Sequence, residues 1–271
     1  MVVNILGICS NDVGLKRCLR RALYSFHPSI LLNDIMFSIA DNLENVRQRI
    51  KKATISCGRP LASVQLLPVT KTRDAKTLNE AVSLGLNCFG ENYLNEALEK
   101  QTTLAGLCSK ALFAETIWHF IGPIQSNKTK AIAAHFDWVQ SVDRPKIARR
   151  LSEQRPKDLA PLNVCIQVNI NDEESKSGVS LEELESFAAS IQALPGLCLR
   201  GLMAIPKAKQ LPQERTKTYF KMQQAFQRLQ SHYETVDTLS MGMSGDLDEA
   251  IAGGATMVRI GTALFGEREP N

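Results

Sequence analysis

Lys71 closes the apolar run Val64-Gln65-Leu66-Leu67-Pro68-Val69-Thr70 and is followed at once by Thr72-Arg73-Asp74 and a helical pattern. An amine with a reference pKa of about 10.4 becomes nucleophilic near neutrality only where its surroundings disfavour the ammonium form, and the mouth of an apolar barrel or sheet can do that. Lys71 is therefore a candidate Schiff-base residue, although its position alone also fits a strand end reaching water.

Two further segments carry chemistry. Ser240-Met241-Gly242-Met243-Ser244-Gly245-Asp246 combines small residues, which let backbone N–H groups approach an anion, with hydroxyls that can donate to it. A helix near 246–252 would aim its positive end at the same place. Ser244 taken alone also fits an ordinary turn with a helix cap. In Arg259-Ile260-Gly261-Thr262, strand alternation puts Arg259 and Gly261 on one face, so a guanidinium and a close backbone approach could share one pocket. For Arg259 the plainer alternative is a surface or salt-bridged arginine.

Lysine, phosphate cradle and interior arginine together suggest pyridoxal 5′-phosphate better than any one alone. The lysine would form the imine, the loops hold the phosphate and the arginine face the ring nitrogen. An arginine is almost never deprotonated and cannot accept a hydrogen bond from a protonated pyridine, so it favours the neutral ring. That weakens the ring as an electron sink.

The elements that must position these residues follow from pattern. From Met36 a helix is expected in which Ile39, Leu43, Val46 and Ile50 recur at three- and four-residue spacing. Strand candidates then run over 64–71, 88–92, 118–122, 138–142, 164–170, 199–205, 238–243 and 257–265. Helical patterns lie between them near 75–84, 93–106, 126–135, 145–153, 181–193, 213–232 and 246–252. Eight strands separated by helices predict an α/β fold, a single (β/α)8 TIM-type barrel over 36–271. A doubly wound sheet is the alternative, but no GxGxxG follows the first strand. In a barrel the working face is at the C-terminal strand ends, with phosphate held after strands seven and eight, where the serine and glycine segments lie.

Composition excludes several classes. The 271 residues are 44% hydrophobic and 22% charged, and the net charge of +4 from 32 basic and 28 acidic residues is too slight and dispersed to argue for nucleic acid. No apolar run approaches the roughly 20 residues of a membrane span. Cys9, Cys18, Cys57, Cys88, Cys108, Cys165 and Cys198 stand singly, and His27, His119, His135 and His232 are far apart, so free thiols, a reducing cytoplasmic setting and no metal are expected. Residues 1–35 read as a flexible N-terminal extension. Leu15, Leu19, Ala22, Leu23 and Phe26 would nevertheless share one helical face opposite Lys16, Arg17, Arg20 and Arg21, as in a mitochondrial transit peptide.

The chain resembles the pyridoxal phosphate homeostasis protein family, whose barrel is similar to the N-terminal domain of alanine racemase. The resemblance covers about residues 36–269 and is carried by Val69-Thr70-Lys71-Thr72, Phe89-Gly90-Glu91-Asn92-Tyr93, the run Trp118 to Lys128, Gly201-Leu202-Met203-Ala204-Ile205-Pro206, Ser240 to Ser244 and Val258-Arg259-Ile260-Gly261-Thr262. It implies that Lys71 holds pyridoxal phosphate as an internal aldimine and that Ser240, Ser244, Gly261 and Thr262 lie near its phosphate. It further implies that Arg259 is near the ring nitrogen and that Asn92 and Met203 line the pocket.

It also favours a carrier in cofactor homeostasis, without robust catalysis, that stores the cofactor or delivers it to apo-enzymes; a monomer is expected. An amino-acid racemase is the alternative, and an imine-forming lyase on a sugar or keto acid a third class. A two-base racemase takes its second acid/base group from a tyrosine in a further C-terminal domain. No such domain is expected, because the chain ends at Asn271, soon after Gly266. Neither Tyr93 nor Tyr219 is an obvious replacement. Alternation puts His119 on the opposite face from Trp118 and Phe120, as a packed histidine rather than a base. The run Asn171 to Gly178 is read as a loop that could border the pocket.

Overall fold

The computed structural model describes residues 38–171, 177–207 and 210–267. The N-terminal extension, with its transit-peptide reading, and most of the 171–178 loop lie outside the described residues.

Helix α1 (Ile39–Ser56) opens on a reciprocal cap, in which Ser38 Oγ accepts from the Asp41 amide at 3.1 Å and Asp41 Oδ2 accepts from the Ser38 amide at 3.3 Å. Leu43, Val46 and Ile50 of the predicted stripe are buried, Ile39 is half-buried against the same core, and Ala53 extends the stripe by one turn. Eight strands follow: β1 (Gln65–Pro68), β2 (Cys88–Glu91), β3 (Ile117–Phe120), β4 (Trp138–Val142), β5 (Leu162–Gln167), β6 (Leu197–Met203), β7 (Thr238–Ser240) and β8 (Met257–Ile260). Between and after them lie α2 (Ala75–Ser83), α3 (Leu94–Leu107), α4 (Lys110–Ala114), α5 (Thr129–His135), α6 (Pro145–Gln154), α7 (Leu184–Gln192), α8 (Pro212–His232), α9 (Leu247–Ala252) and α10 (Thr262–Phe265).

All strand pairs are parallel, in the order β1-β8-β7-β6-β5-β4-β3-β2. The remaining seam, β1 against β2, closes where Val69 bridges Gly90 and the Thr70 amide donates to Gly90 O at 3.0 Å. The result is the expected (β/α)8 TIM-type barrel. Among the described residues no helix is long and apolar enough to cross a membrane.

Alternation along the strands separates two interiors. Phe89, Trp118, Phe120, Val164, Ile166, Leu199, Leu202 and Leu239 face outward into the main core beneath the helices. Leu67, Cys88, Ile121 and Met257 form a small second apolar cluster inside the barrel. Beside it the inner space is largely polar, with His119, Gln140, Ser240 and Arg259 all buried. Gly201 has φ +148°, and a Cβ there would collide with the Thr238 carbonyl, so only glycine lets β6 and β7 approach.

Strands β1, β3, β5, β6 and β7 end two or three residues before the expected positions, and two differences are larger. The eighth strand ends at Ile260, because the chain turns at Gly261, whose carbonyl accepts from both the Leu264 and Phe265 amides at 2.9 Å and starts α10. Helix α4 was not expected. It is a five-residue turn capped by Ser109, whose Oγ accepts from the Leu112 amide at 3.3 Å.

Candidate cofactor site

Lys71 lies just past β1, where regular pairing has given way to single bonds from Val69 N to Ile260 O at 2.8 Å and from Thr70 N to Gly90 O. Pro68 has no amide to donate, so the strand ends there. With Val69, Arg73, Gly261 and Thr262, Lys71 lines a narrow cleft at the C-terminal mouth. Gly261 sits so close to β1 that a Cβ would stand 3.3 Å from Val69 O.

Behind Lys71 is a buried ionic clamp. Lys100 Nζ donates to Thr70 O at 2.6 Å and pairs with Glu91 Oε1 at 2.8 Å and Glu96 Oε1 at 2.5 Å. Glu91 Oε1 also accepts from Thr70 Oγ1 at 2.7 Å, and Glu96 Oε1 from the Thr72 amide at 2.5 Å. Both neighbours of Lys71 are therefore tied to carboxylates that Lys100 holds. Thr72 takes φ +63°, a conformation costing a β-branched residue on the order of 1–2 kcal/mol. Burial pushes the Glu91 carboxyl up against the opposing pull of Lys100, and its Oε2 has no hydrogen-bond partner.

The loops after β7 and β8 meet beside this cleft. Ser244 Oγ accepts from the Ala263 amide at 3.3 Å, which links the glycine-serine loop to α10. The same loop is closed by the Met243 amide donating to Asp246 Oδ1 at 2.6 Å. Arg49 of α1 braces it from outside, with NH1 donating to Ser244 O at 2.7 Å and Nε to Asp248 Oδ2 at 2.8 Å. Asn42 Nδ2 donates to Leu264 O at 3.1 Å, so α1 supports both the loop after β7 and helix α10 after β8.

Arg259 lies inside the barrel. Its NH1 donates to Ser240 Oγ at 2.8 Å and its NH2 to Ala204 O at 2.9 Å. Burial pulls the guanidinium down to about 10, which still leaves it protonated at neutral pH. Ser240, expected near a phosphate, is fully buried and bonded to Arg259 and to Gln140 Oε1, the latter at 2.6 Å. Met203 pairs in register with Ser240 and is equally buried. Asn92, just past β2, stands apart between two mouth cavities of about 280 and 350 Å³, and its Oδ1 is buried without a partner.

The sequence-named residues thus form three groups: Lys71, Gly261, Thr262 and nearby Ser244 at the cleft; Arg259, Ser240 and Met203 within the barrel; and Asn92 on the mouth. The clamp of Glu91, Glu96 and Lys100 was not singled out as functional, nor was Gln140. The i,i+4 spacing of Glu96 and Lys100 was the available signal for the clamp.

His119 points inward, away from Trp118 and Phe120. Gln140 Nε2 lies 3.0 Å from its Nδ1, Trp138 stacks on it at 5.1 Å, and burial pushes it down to about 3. Burial, together with the hydrogen bond its hydroxyl donates to Asp246 Oδ2 at 2.6 Å, pushes the Tyr219 phenol far up. Tyr93 is 55% exposed on the rim.

The alanine racemase N-terminal domain family matches residues 38–269. The pyridoxal phosphate homeostasis protein of Pseudomonas aeruginosa is 53% identical over 238 residues, covering 86% of this chain and 97% of the relative. That of Escherichia coli K12 is 48% identical over 234 residues, covering 86% and 98%. Among solved structures, PipY of Synechococcus elongatus with pyridoxal phosphate bound superposes with a TM-score of 0.71 at 32% identity, over 84% of this chain and all of that one. With a closed parallel barrel and this coverage, the chain belongs to the pyridoxal phosphate homeostasis proteins, within the alanine racemase N-terminal domain family.

Proposed function

We propose that this protein binds pyridoxal 5′-phosphate on Lys71 and serves cofactor homeostasis as a carrier that passes the cofactor to apo-enzymes, without robust catalysis of its own. The observation that carries the reading is the shared cleft of Lys71, Gly261 and Thr262, with the buried cation Arg259 two residues from Gly261.

The residues suit the group. Lys71 Nζ would hold the cofactor covalently, through an imine to its aldehyde carbon formed with loss of water. Gly261, Thr262 and Ser244 offer small or hydroxyl-bearing surfaces to the phosphate at the junction of two loops, with Asn92 on the neighbouring part of the mouth and Met203 buried beside Ser240. Arg259 is a buried donor that serves an acceptor nitrogen. When bound, the cofactor supplies an electrophilic carbon and a conjugated ring, and Arg259 limits the ring's use as an electron sink. The carrier reading draws support from the tied-up phenol of Tyr219, the neutral buried imidazole of His119 and the names of the relatives.

Purified protein should absorb in the visible, and borohydride should fix the cofactor's mass on Lys71 alone. Modification of Lys100 or Lys128 instead would overturn the assignment. Racemisation of a common amino acid at about 1 to 10³ per second would overturn the carrier role. In a transfer assay, apo-enzyme should gain cofactor faster from the loaded protein than from the same amount released into solution.

A further inference from the structure

Arg259 is held inside the barrel by a hydrogen-bonded chain whose direction of donation is fixed. Its NH1 donates to Ser240 Oγ, the Ser240 hydroxyl donates to Gln140 Oε1, and Gln140 Nε2 donates to His119 Nδ1. Met257 Sδ lies 3.1 Å from Gln140 Nε2. A thioether accepts weakly and cannot donate, so the amide nitrogen belongs on the side of Met257 and His119 and the amide oxygen on the side of Ser240. Ser240 has one proton, which Gln140 takes, and the serine oxygen is thereby left as an acceptor for Arg259.

His119 must present a bare Nδ1 to end the chain, which requires the neutral ring with its proton on Nε2. Its burial and its stacking on Trp138 at 16° maintain that state and plane. Arg200 lies over the Trp138 ring, 5.0 Å from its centroid. From His119 to Arg259 no member is more than 4% exposed. A satisfied chain in so dry a place sets each member's orientation strongly.

We propose that Gln140 and His119 are positioning residues for Arg259: by fixing Ser240 as an acceptor they set the plane in which the guanidinium meets the cofactor. This rests on the reading of Lys71 and Arg259 as cofactor ligands. Neither Gln140 nor His119 reacts; both act through Arg259.

A double-mutant cycle on pyridoxal phosphate affinity tests it, with wild type, Gln140→Leu, Arg259→Lys and the double variant titrated by absorbance after circular dichroism has shown that each is folded. Gln140→Leu should weaken binding about tenfold in the wild-type background and less than about twofold beside Arg259→Lys. Equal losses in both backgrounds, or none in the first, overturn the proposal. If Gln140→Leu does not fold, Gln140→Asn is put through the same cycle under the same criteria.

Nitrogen-15 spectra of the imidazole add a readout that a packing role would not move. The cofactor-free protein should show the Nε2–H form of His119, and added pyridoxal phosphate should shift its Nδ1 signal in wild type but not in Ser240→Ala. A protonated or Nδ1–H ring, or an unmoved signal in the wild type, overturns the proposal. Failure of the wild type to bind the cofactor would instead remove the functional reading beneath it.

Discussion

Two lysines stand on either side of the β1 exit, and their surroundings assign them different work. Lys71 lines the narrow cleft at the mouth, and Lys100, 5% exposed, gives its ammonium to Thr70 O, Glu91 and Glu96. Removing one partner of a buried pair leaves the other uncompensated, so Lys100→Met should lower the free energy of unfolding in urea by about 3–5 kcal/mol. Adding Glu91→Gln to that variant should recover part of the loss, because no buried charge then lacks a partner. A Lys100→Met protein as stable as wild type would show that the clamp does not hold the segment. Lys71 was legible because a lysine ends an apolar run. Lys100 was not, since a Glu96–Lys100 pair at i,i+4 reads as a solvent-facing helix contact, and nothing local places Thr70 against it.

At the scale of elements, α1 belongs to no βα unit and yet touches both parts of the candidate phosphate cradle, through Arg49 to Ser244 and Asn42 to Leu264. Its function is therefore bracing as well as covering. Arg49→Met keeps the aliphatic stem and removes the donors. Pyridoxal phosphate affinity should fall about three- to tenfold, as expected for losing the charge-assisted hydrogen bond to Ser244 O at a partly exposed site, while borohydride labelling still maps to Lys71. An unchanged affinity in the titration would reduce α1 to packing. The sequence showed the stripe of α1 because the 3.6-residue period is strong, but Arg49 lies off that stripe and its partners are about 200 residues away. Helix α10 was read as strand because Ala263-Leu264-Phe265 is apolar without a break; the turn at Gly261 decides otherwise.

The whole barrel was legible because parallel strands covered on both faces read as short apolar runs, and helices of clear period separate them. Its polar interior was less so, since His119, Gln140, Ser240 and Arg259 come from four strands and meet only on closure. That interior gives the molecule a defined response to acid. His119 titrates near 6.5 in an unfolded chain but only at about 3 in the folded one, where burial opposes its charge. As the pH falls below 6.5 the unfolded state gains a proton that the native state refuses, so stability declines by about 1.4 kcal/mol per pH unit until the native imidazole itself titrates. In urea unfolding between pH 6.5 and pH 4.5, wild type should lose about 2–3 kcal/mol more than His119→Gln, which cannot take up that proton. Equal losses would mean that the native imidazole accepts a proton in this range. Nδ1 would then donate, Gln140 would have to turn its oxygen toward His119 and its amide nitrogen toward Ser240, and the Ser240 hydroxyl would lose the acceptor that fixes its proton away from Arg259.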